Sequence, residues 1–228
     1  MKKYGIAGHG RASKHLQRYF RLLNVPFAVW TKSGSEPHNV FKNSTIIFVL
    51  IKDSEIENFI KANPLLKNKT FIHFSGSLET GLAWGYHPLM TFAEPYYTLE
   101  EYENIPFITG KNTPPLEKIA PELKNPLFRI PENRKSLYHA LCVMGSNFPV
   151  ILWTKILEEL NQKFGIPRKH ILNYFEKTLK NFKRRPGKAL TGPFTRKDIL
   201  TINKNIRGLR NHPLKKIYLA FRKTHENR

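Results

Sequence analysis

A single cysteine, Cys142, occurs in the 228 residues. One thiol cannot build an intrachain disulfide framework or a cysteine-based zinc site. A reducing, cytoplasmic setting is therefore expected. Long uninterrupted apolar runs are also missing. The longest, Ile46-Ile47-Phe48-Val49-Leu50-Ile51, suits a buried strand and falls far short of the roughly 18 residues of a membrane span. The segment Met1-Lys2-Lys3-Tyr4-Gly5 carries no apolar signal core and leads straight into a strand, so no membrane partner is expected. Acidic residues are scarce, 17 against 38 Lys and Arg, for a net charge of +21. There is no Ser-His-Asp order. The nine histidines are scattered, so no metal site is expected.

The charge is uneven. Residues 131–228 carry 22 Lys and Arg against 6 Asp and Glu, a balance of +16, leaving +5 for residues 1–130. Such a basic half suits a nucleic acid, an anionic ligand or a lysine-rich solvated face. No nucleic-acid recognition motif accompanies it, so only weak, salt-sensitive nucleic-acid binding is expected.

The 40% hydrophobic content is that of a folded chain. The first half alternates short apolar runs with amphipathic stretches, the pattern of βαβ units. Strands are expected at 3–7, 26–31, 45–51 and 70–74, with shorter ones near 84–87, 107–109 and 127–130. Helices are expected over 12–24, over 114–123, and from a cap at Asp53 or Ser54 through Ile60. Past Pro131 the strand pattern gives way to helical periodicity. A long helix spans 135 to about 163, broken or bent near Pro149. Further helices start at Pro167, at a Thr195/Asp198 cap pair, and at Pro213.

Between the first strand and the first helix lies Gly8-His9-Gly10-Arg11-Ala12-Ser13. Gly8 permits the tight turn, Gly10 lets backbone approach a pyrophosphate, and Ser13 is small enough for helix–strand packing. Gly8, Gly10, Arg11 and Ala12 are thus candidate pyrophosphate ligands at a helix N-terminus. The second strand ends Trp30-Thr31-Lys32-Ser33-Gly34, without the acid that would hold a ribose 2′-hydroxyl. Thr31, Lys32 and Ser33 suit a 2′-phosphate, so NADP is expected ahead of NAD. The fold class is accordingly an α/β Rossmann-type N-terminal domain, residues 1–131, plus an all-α C-terminal domain, residues 132–228.

Ser75, after the fourth strand, and His87, in Gly85-Tyr86-His87-Pro88-Leu89-Met90-Thr91-Phe92, fall at the carboxyl ends of strands, where a nicotinamide ring or substrate lies. His87 can donate a proton or a hydrogen bond there. In the helical half, His139-Ala140-Leu141-Cys142-Val143-Met144-Gly145-Ser146-Asn147-Phe148-Pro149 breaks helix propensity with small residues and a proline. This marks close packing or a cleft. Leu190-Thr191-Gly192-Pro193-Phe194-Thr195-Arg196-Lys197-Asp198 joins a turn to a helix start.

These motifs, with His73-Phe74-Ser75-Gly76-Ser77 and Tyr138-His139-Ala140, resemble the Rossmann-like proteins with a C-terminal domain of unknown function 2520. That family is similar to coenzyme F420-dependent NADP oxidoreductases and to pyrroline-5-carboxylate reductases. The resemblance implies the two-domain fold, an NADP cofactor and a homodimer formed through the helical domain, but carries over no substrate; the leading expectation is an NADP-dependent oxidoreductase acting on a small carbonyl or imine substrate. It makes His87 and His139 the candidate acids or orienting groups, with Ser146, Asn147 and Thr191 lining the cleft. His139 stands where pyrroline-5-carboxylate reductase has an acid. A non-catalytic dinucleotide sensor or scaffold is the alternative, and a nucleic-acid-binding protein a more distant one.

Overall fold

The computed structural model describes residues 3–226. Two compact units divide the chain, Met1–Pro149 and Val150–Arg228. The first holds a seven-stranded sheet built from β1 (Tyr4–Ala7), β2 (Phe27–Trp30), β3 (Ile46–Val49), β4 (Thr70–His73), β5 (Trp84–Pro88), β6 (Phe107–Gly110) and β7 (Leu127–Ile130). The strand order is β2-β1-β3-β4-β5-β6-β7. β1 to β5 pair in parallel, β6 runs antiparallel to β5, and β7 is parallel to β6. The helices between strands are α1 (Arg11–Leu22), α2 (Pro37–Val40), α3 (Asp53–Lys61), α4 (Leu99–Glu103) and α5 (Leu116–Ile119).

Alternation along each strand feeds two cores, one on either face of the sheet. Tyr4, Ile6, Ile46, Phe48 and Ile72 face one core with Leu16, Tyr19 and Phe20 of α1. Ala7, Ile47, Val49 and Phe71 face the other with Ile56 and Phe59 of α3. A parallel sheet covered on both faces needs strands apolar at every position, which explains the unbroken run at 46–51. The chain leaves β1 toward β2 on one side and crosses to β3 on the other, so the point where strand order reverses lies between β1 and β3. This is the doubly wound, Rossmann-type architecture, and that crevice is where such sheets bind ligands.

The second half is helical: α6 (Lys135–Phe164), α7 (Arg168–Arg184), α8 (Ile199–Gly208) and α9 (Lys215–Glu226). α6 runs unbroken through Pro149, where a break or bend was expected, and the two compact units divide at that residue. Two caps also differ from expectation. Lys52 is the N-cap of α3 and Asp53 is already helical, its carboxylate taken by Ser75. Asp198 alone caps α8, accepting from the Thr201 amide at 3.0 Å, while Thr195 stands in the turn before it. The last helix begins at Lys215, two residues after Pro213.

In Val150–Arg228, Ile171, Phe175 and Ile202 are buried, but Leu179, Phe182, Ile199 and Phe221 remain exposed. On α6, Leu137, Leu141, Met144, Phe148 and Ile151 recur at alternating four- and three-residue steps, and each is over half exposed. The segment Glu132–Phe164 is long and apolar enough, by length and composition, to cross a membrane. Counting uninterrupted apolar runs missed this, because His139, Gly145, Ser146 and Asn147 interrupt the run without adding charge.

Candidate functional site

The glycine turn sits at the switch point. Gly8 has φ +129°, and a Cβ there would lie 2.2 Å from the Leu50 carbonyl oxygen, so the close approach of the β1 and β3 ends demands glycine. Its amide donates to the Trp30 carbonyl at 2.9 Å, fastening the turn to β2 as well. Ser13, fully buried, donates its hydroxyl to the Gly8 carbonyl at 2.8 Å. Its place in the motif is therefore a hydrogen-bonding one as well as a small one. Gly10 caps α1 without any side-chain acceptor, and no acid lies in the first turn. A Cβ on Gly10 would meet nothing within 4 Å. The first amides of α1 are thus left for an incoming anion beneath open space. His9, Gly10 and Arg11 are exposed and Ala12 is half-buried.

At the end of β2 the Gly34 amide donates to the Thr31 carbonyl at 2.9 Å, closing a turn that presents exposed Lys32 and Ser33. The hydroxyls of Thr31 and Ser33 lie 3.5 Å apart. No ion pair involves Lys32 among the described residues.

A second polar group gathers at the ends of β4 and β5 and the start of α6, all within Met1–Pro149. His87 Nδ1 lies 2.7 Å from the Tyr138 hydroxyl. The rings of His87 and His139 are 5.5 Å apart and nearly perpendicular. Gly76 makes room for both: a Cβ there would fall 2.3 Å from His139 Nδ1 and 3.0 Å from His87 Cδ2. His139 Nδ1 is buried without a partner. Burial, helped by the neighbouring His139, drives the His87 pKa down to about 4, with Asp53 opposing and Lys135 adding to the fall. The ring is therefore neutral at pH 7. In this state it holds a hydrogen bond with Tyr138. Tyr138 is pushed above its ordinary value, first by burial and then by its bond with the Cys142 thiol. Its phenol keeps its proton, and the ring's tautomer sets which way the bond to His87 runs.

Ser75, expected against the cofactor, is buried and its hydroxyl is engaged within the protein. It bonds the Asp53 carboxylate and accepts from the Leu78 amide at 2.9 Å. It ties the loop after β4 to α3. In α6 the Ser146 hydroxyl lies 2.8 Å from the Cys142 carbonyl and 2.7 Å from Asn147 Oδ1, a back-bond within the helix. Asn147 is exposed, and so is Thr191, which belongs to the other compact unit. Sequence reasoning assigned no role to Tyr138, His73 or Lys135. Tyr138 and His73 lay within quoted motifs, and only a histidine preceded by a tyrosine hinted at a pair. Nothing local marked Lys135.

A doubly wound sheet with an uncapped, glycine-opened helix at its switch point defines the Rossmann-type class of fold. The family described as Domain of unknown function (DUF2520) matches residues 107–224, and the chain belongs to it. Among curated proteins, none matches the sequence. Solved structures resemble it along the whole chain. A protein of Bacteroides fragilis provisionally assigned as an NADP oxidoreductase is 18% identical, with TM-score 0.77 over 100% of this chain and 98% of that one. Pyrroline carboxylate reductase from Plasmodium falciparum, with NADP bound, is 14% identical, TM-score 0.60, covering 99% of each. A reductive aminase from Aspergillus terreus, in complex with NADPH4, cyclohexanone and allyl amine, is 13% identical, TM-score 0.67, covering 100% and 93%. At these identities the likeness establishes the fold.

Proposed function

We propose that the protein is an NADP-dependent oxidoreductase acting on a small carbonyl or imine substrate. The observation that carries this reading is the open, uncapped N-terminus of α1 above Gly10, at the switch point of the sheet. Gly8, Gly10, Arg11 and Ala12 would hold the pyrophosphate, and Thr31, Lys32 and Ser33 the 2′-phosphate. When bound, the dinucleotide supplies or accepts the hydride. The chain's own part is to orient and to handle the proton. Tyr138, protonated across the physiological range and bonded to neutral His87, is suited to hydrogen-bond the substrate oxygen or nitrogen. His139, with its free Nδ1, is the second donor or acceptor at the same place. The similar folds that hold NADP or NADPH4 support this reading.

NADPH is expected to bind at least about tenfold more tightly than NADH, a difference of about 1.4 kcal/mol. Calorimetry on the wild type and on Lys32→Ala checks this, and the variant should bring the two nucleotides close together. Equal affinities in the wild type would remove the case for Lys32. Turnover assays with NADPH and simple ketones or imines then separate an enzyme from a sensor that binds without reacting.

The apolar stripe on α6 leads to an assembly as well. Its four- and three-residue steps are those of a helix seam that packs against another helix. Exposed apolar stripes of this length mark interfaces. We propose that a second copy of the chain covers it in a two-fold homodimer through the helical half. Tyr138 and His139 on the same helix are engaged with β5 and Gly76, which argues for a protein partner over a lipid one. Light scattering at micromolar concentration should give twice the chain mass, and Leu141→Asp with Phe148→Asp should give the monomer. A monomeric wild type, or its recovery with lipid in the membrane fraction, would overturn this.

A further inference from the structure

Lys135, at the start of α6, is only 7% exposed. Its ammonium donates to the Leu78 carbonyl. No ion pair within 4 Å involves it among the described residues. The carboxylates of Glu79, Glu132 and Asp53 act on it only from farther off, and burial outweighs them, lowering its pKa. Burying an ammonium costs several kcal/mol unless a counter-charge is supplied, and the first turn of a helix is electrostatically the wrong place for a cation.

The location is specific. Register places His73 of β4 opposite Gly85 of β5. A Cβ on Gly85 would lie 3.2 Å from Lys135 Nζ and 3.0 Å from His73 Nε2. The two nitrogens therefore flank a space that only glycine leaves open. His73 is 1% exposed, and its Nδ1 is buried with no hydrogen-bond partner. Two positions beyond Gly85 on the same strand lies His87, with Tyr138 and His139. A cation with no carboxylate in contact and the Nε2 of a buried histidine thus stand beside the groups assigned to the reaction.

We propose that Lys135 binds a carboxylate carried by the substrate, so that the substrate class is a small oxo or imino acid. The inference rests on the reductase reading only for the identity of the pocket. The competing role for the lysine is to tether the turn at 75–78 to α6 through Leu78.

The test compares pyruvate with methyl pyruvate, its uncharged ester, by calorimetry on the full chain, with and without NADPH. The wild type should bind the acid at least about tenfold more tightly than the ester. Lys135→Met should abolish that discrimination and leave NADPH affinity unchanged. Lys135→Gln keeps a donor for the Leu78 carbonyl but loses the charge. It should also lose the discrimination, so a folding failure of the methionine variant does not decide the matter. Indifference of the wild type to the ester, or discrimination that survives in Lys135→Gln, overturns the proposal. So does a loss of NADPH affinity in that variant, which would give the lysine to the cofactor. Discrimination that depends on Lys135 in a chain that binds no NADPH would support the anion site while sinking the reductase reading.

Discussion

Gly10→Val leaves the fold standing and abolishes dinucleotide binding, whereas Gly8→Ala damages the fold itself. The two glycines are two residues apart and do different work. A side chain at Gly10 meets nothing in the free protein, so valine there costs little in packing. It projects into the space above the α1 amides, where a pyrophosphate must come within hydrogen-bond distance, and a loss of at least about 100-fold in affinity is expected. At Gly8 an added Cβ would sit 2.2 Å from Leu50 oxygen at a φ of +129°. Relief requires prising the β1 end from the β3 end, at a cost on the order of 3 kcal/mol or more. Urea unfolding followed by NADPH titration on both variants checks the pair. A Gly10→Val protein that is stable and still binds NADPH would refute the cofactor site. A Gly8→Ala protein with an unchanged unfolding midpoint would refute the packing at the switch point.

Stability should fall as pH drops from about 6.5 toward 5, well above the range where most carboxylates titrate. His73 and His87 both have folded pKa values lowered to about 4. Burial is the first cause for each, with the Lys135 charge next for His73 and His139 next for His87. For a histidine so depressed, the unfolded chain takes up the proton first. Both rings are neutral in both states at pH 7.5 and contribute no pH dependence there. Below the unfolded value of about 6.5 the unfolded state gains protons that the folded state refuses, and the loss continues until pH reaches about 4. For the fully buried His73 the total is on the order of 3 kcal/mol, with a slope that approaches 1.4 kcal/mol per pH unit. Urea unfolding at half-unit pH steps measures the slope, and His73→Gln should flatten about half of it. A flat wild-type profile between pH 6.5 and 5 would mean that these histidines are solvated or already charged in the folded protein. The same depression implies that NADPH binding shows no histidine titration near pH 6.5 arising from His87.

The elements that follow local rules were legible in the residues. The β1 turn and α1 could be placed because strand, glycine turn and helix are consecutive and each rests on neighbours a few positions away. The two faces of the sheet follow from apolar residues at both parities of Ile46–Ile51. The helical half follows from its change of periodicity past Pro131. Errors came where a side chain was claimed from a distance. Asp53 or Ser54 was read as a cap, but both lie inside α3, and Ser75, 22 positions on from Asp53, holds the Asp53 carboxylate. Thr195 was read as a cap partner, but the chain turns through residues 193–197, with Lys197 at φ +54°, and the helix starts beyond it.

The site divides along the same line. The glycine turn and the Thr31–Ser33 segment are short-range motifs whose chemistry is carried by adjacent residues, and the sequence by itself determined them, together with the succession of the seven strands; the short α2 and α4 were not foreseen. That Gly85 stands opposite His73, that Lys135 is buried over it, and that Tyr138 reaches His87 across 51 positions were decided only by the tertiary structure. Strand register and helix docking bring these residues together, and both depend on burial summed over the whole core. No local pattern of residues encodes that sum, so the buried ammonium of Lys135, with no carboxylate in contact, could be recognised only in the folded chain.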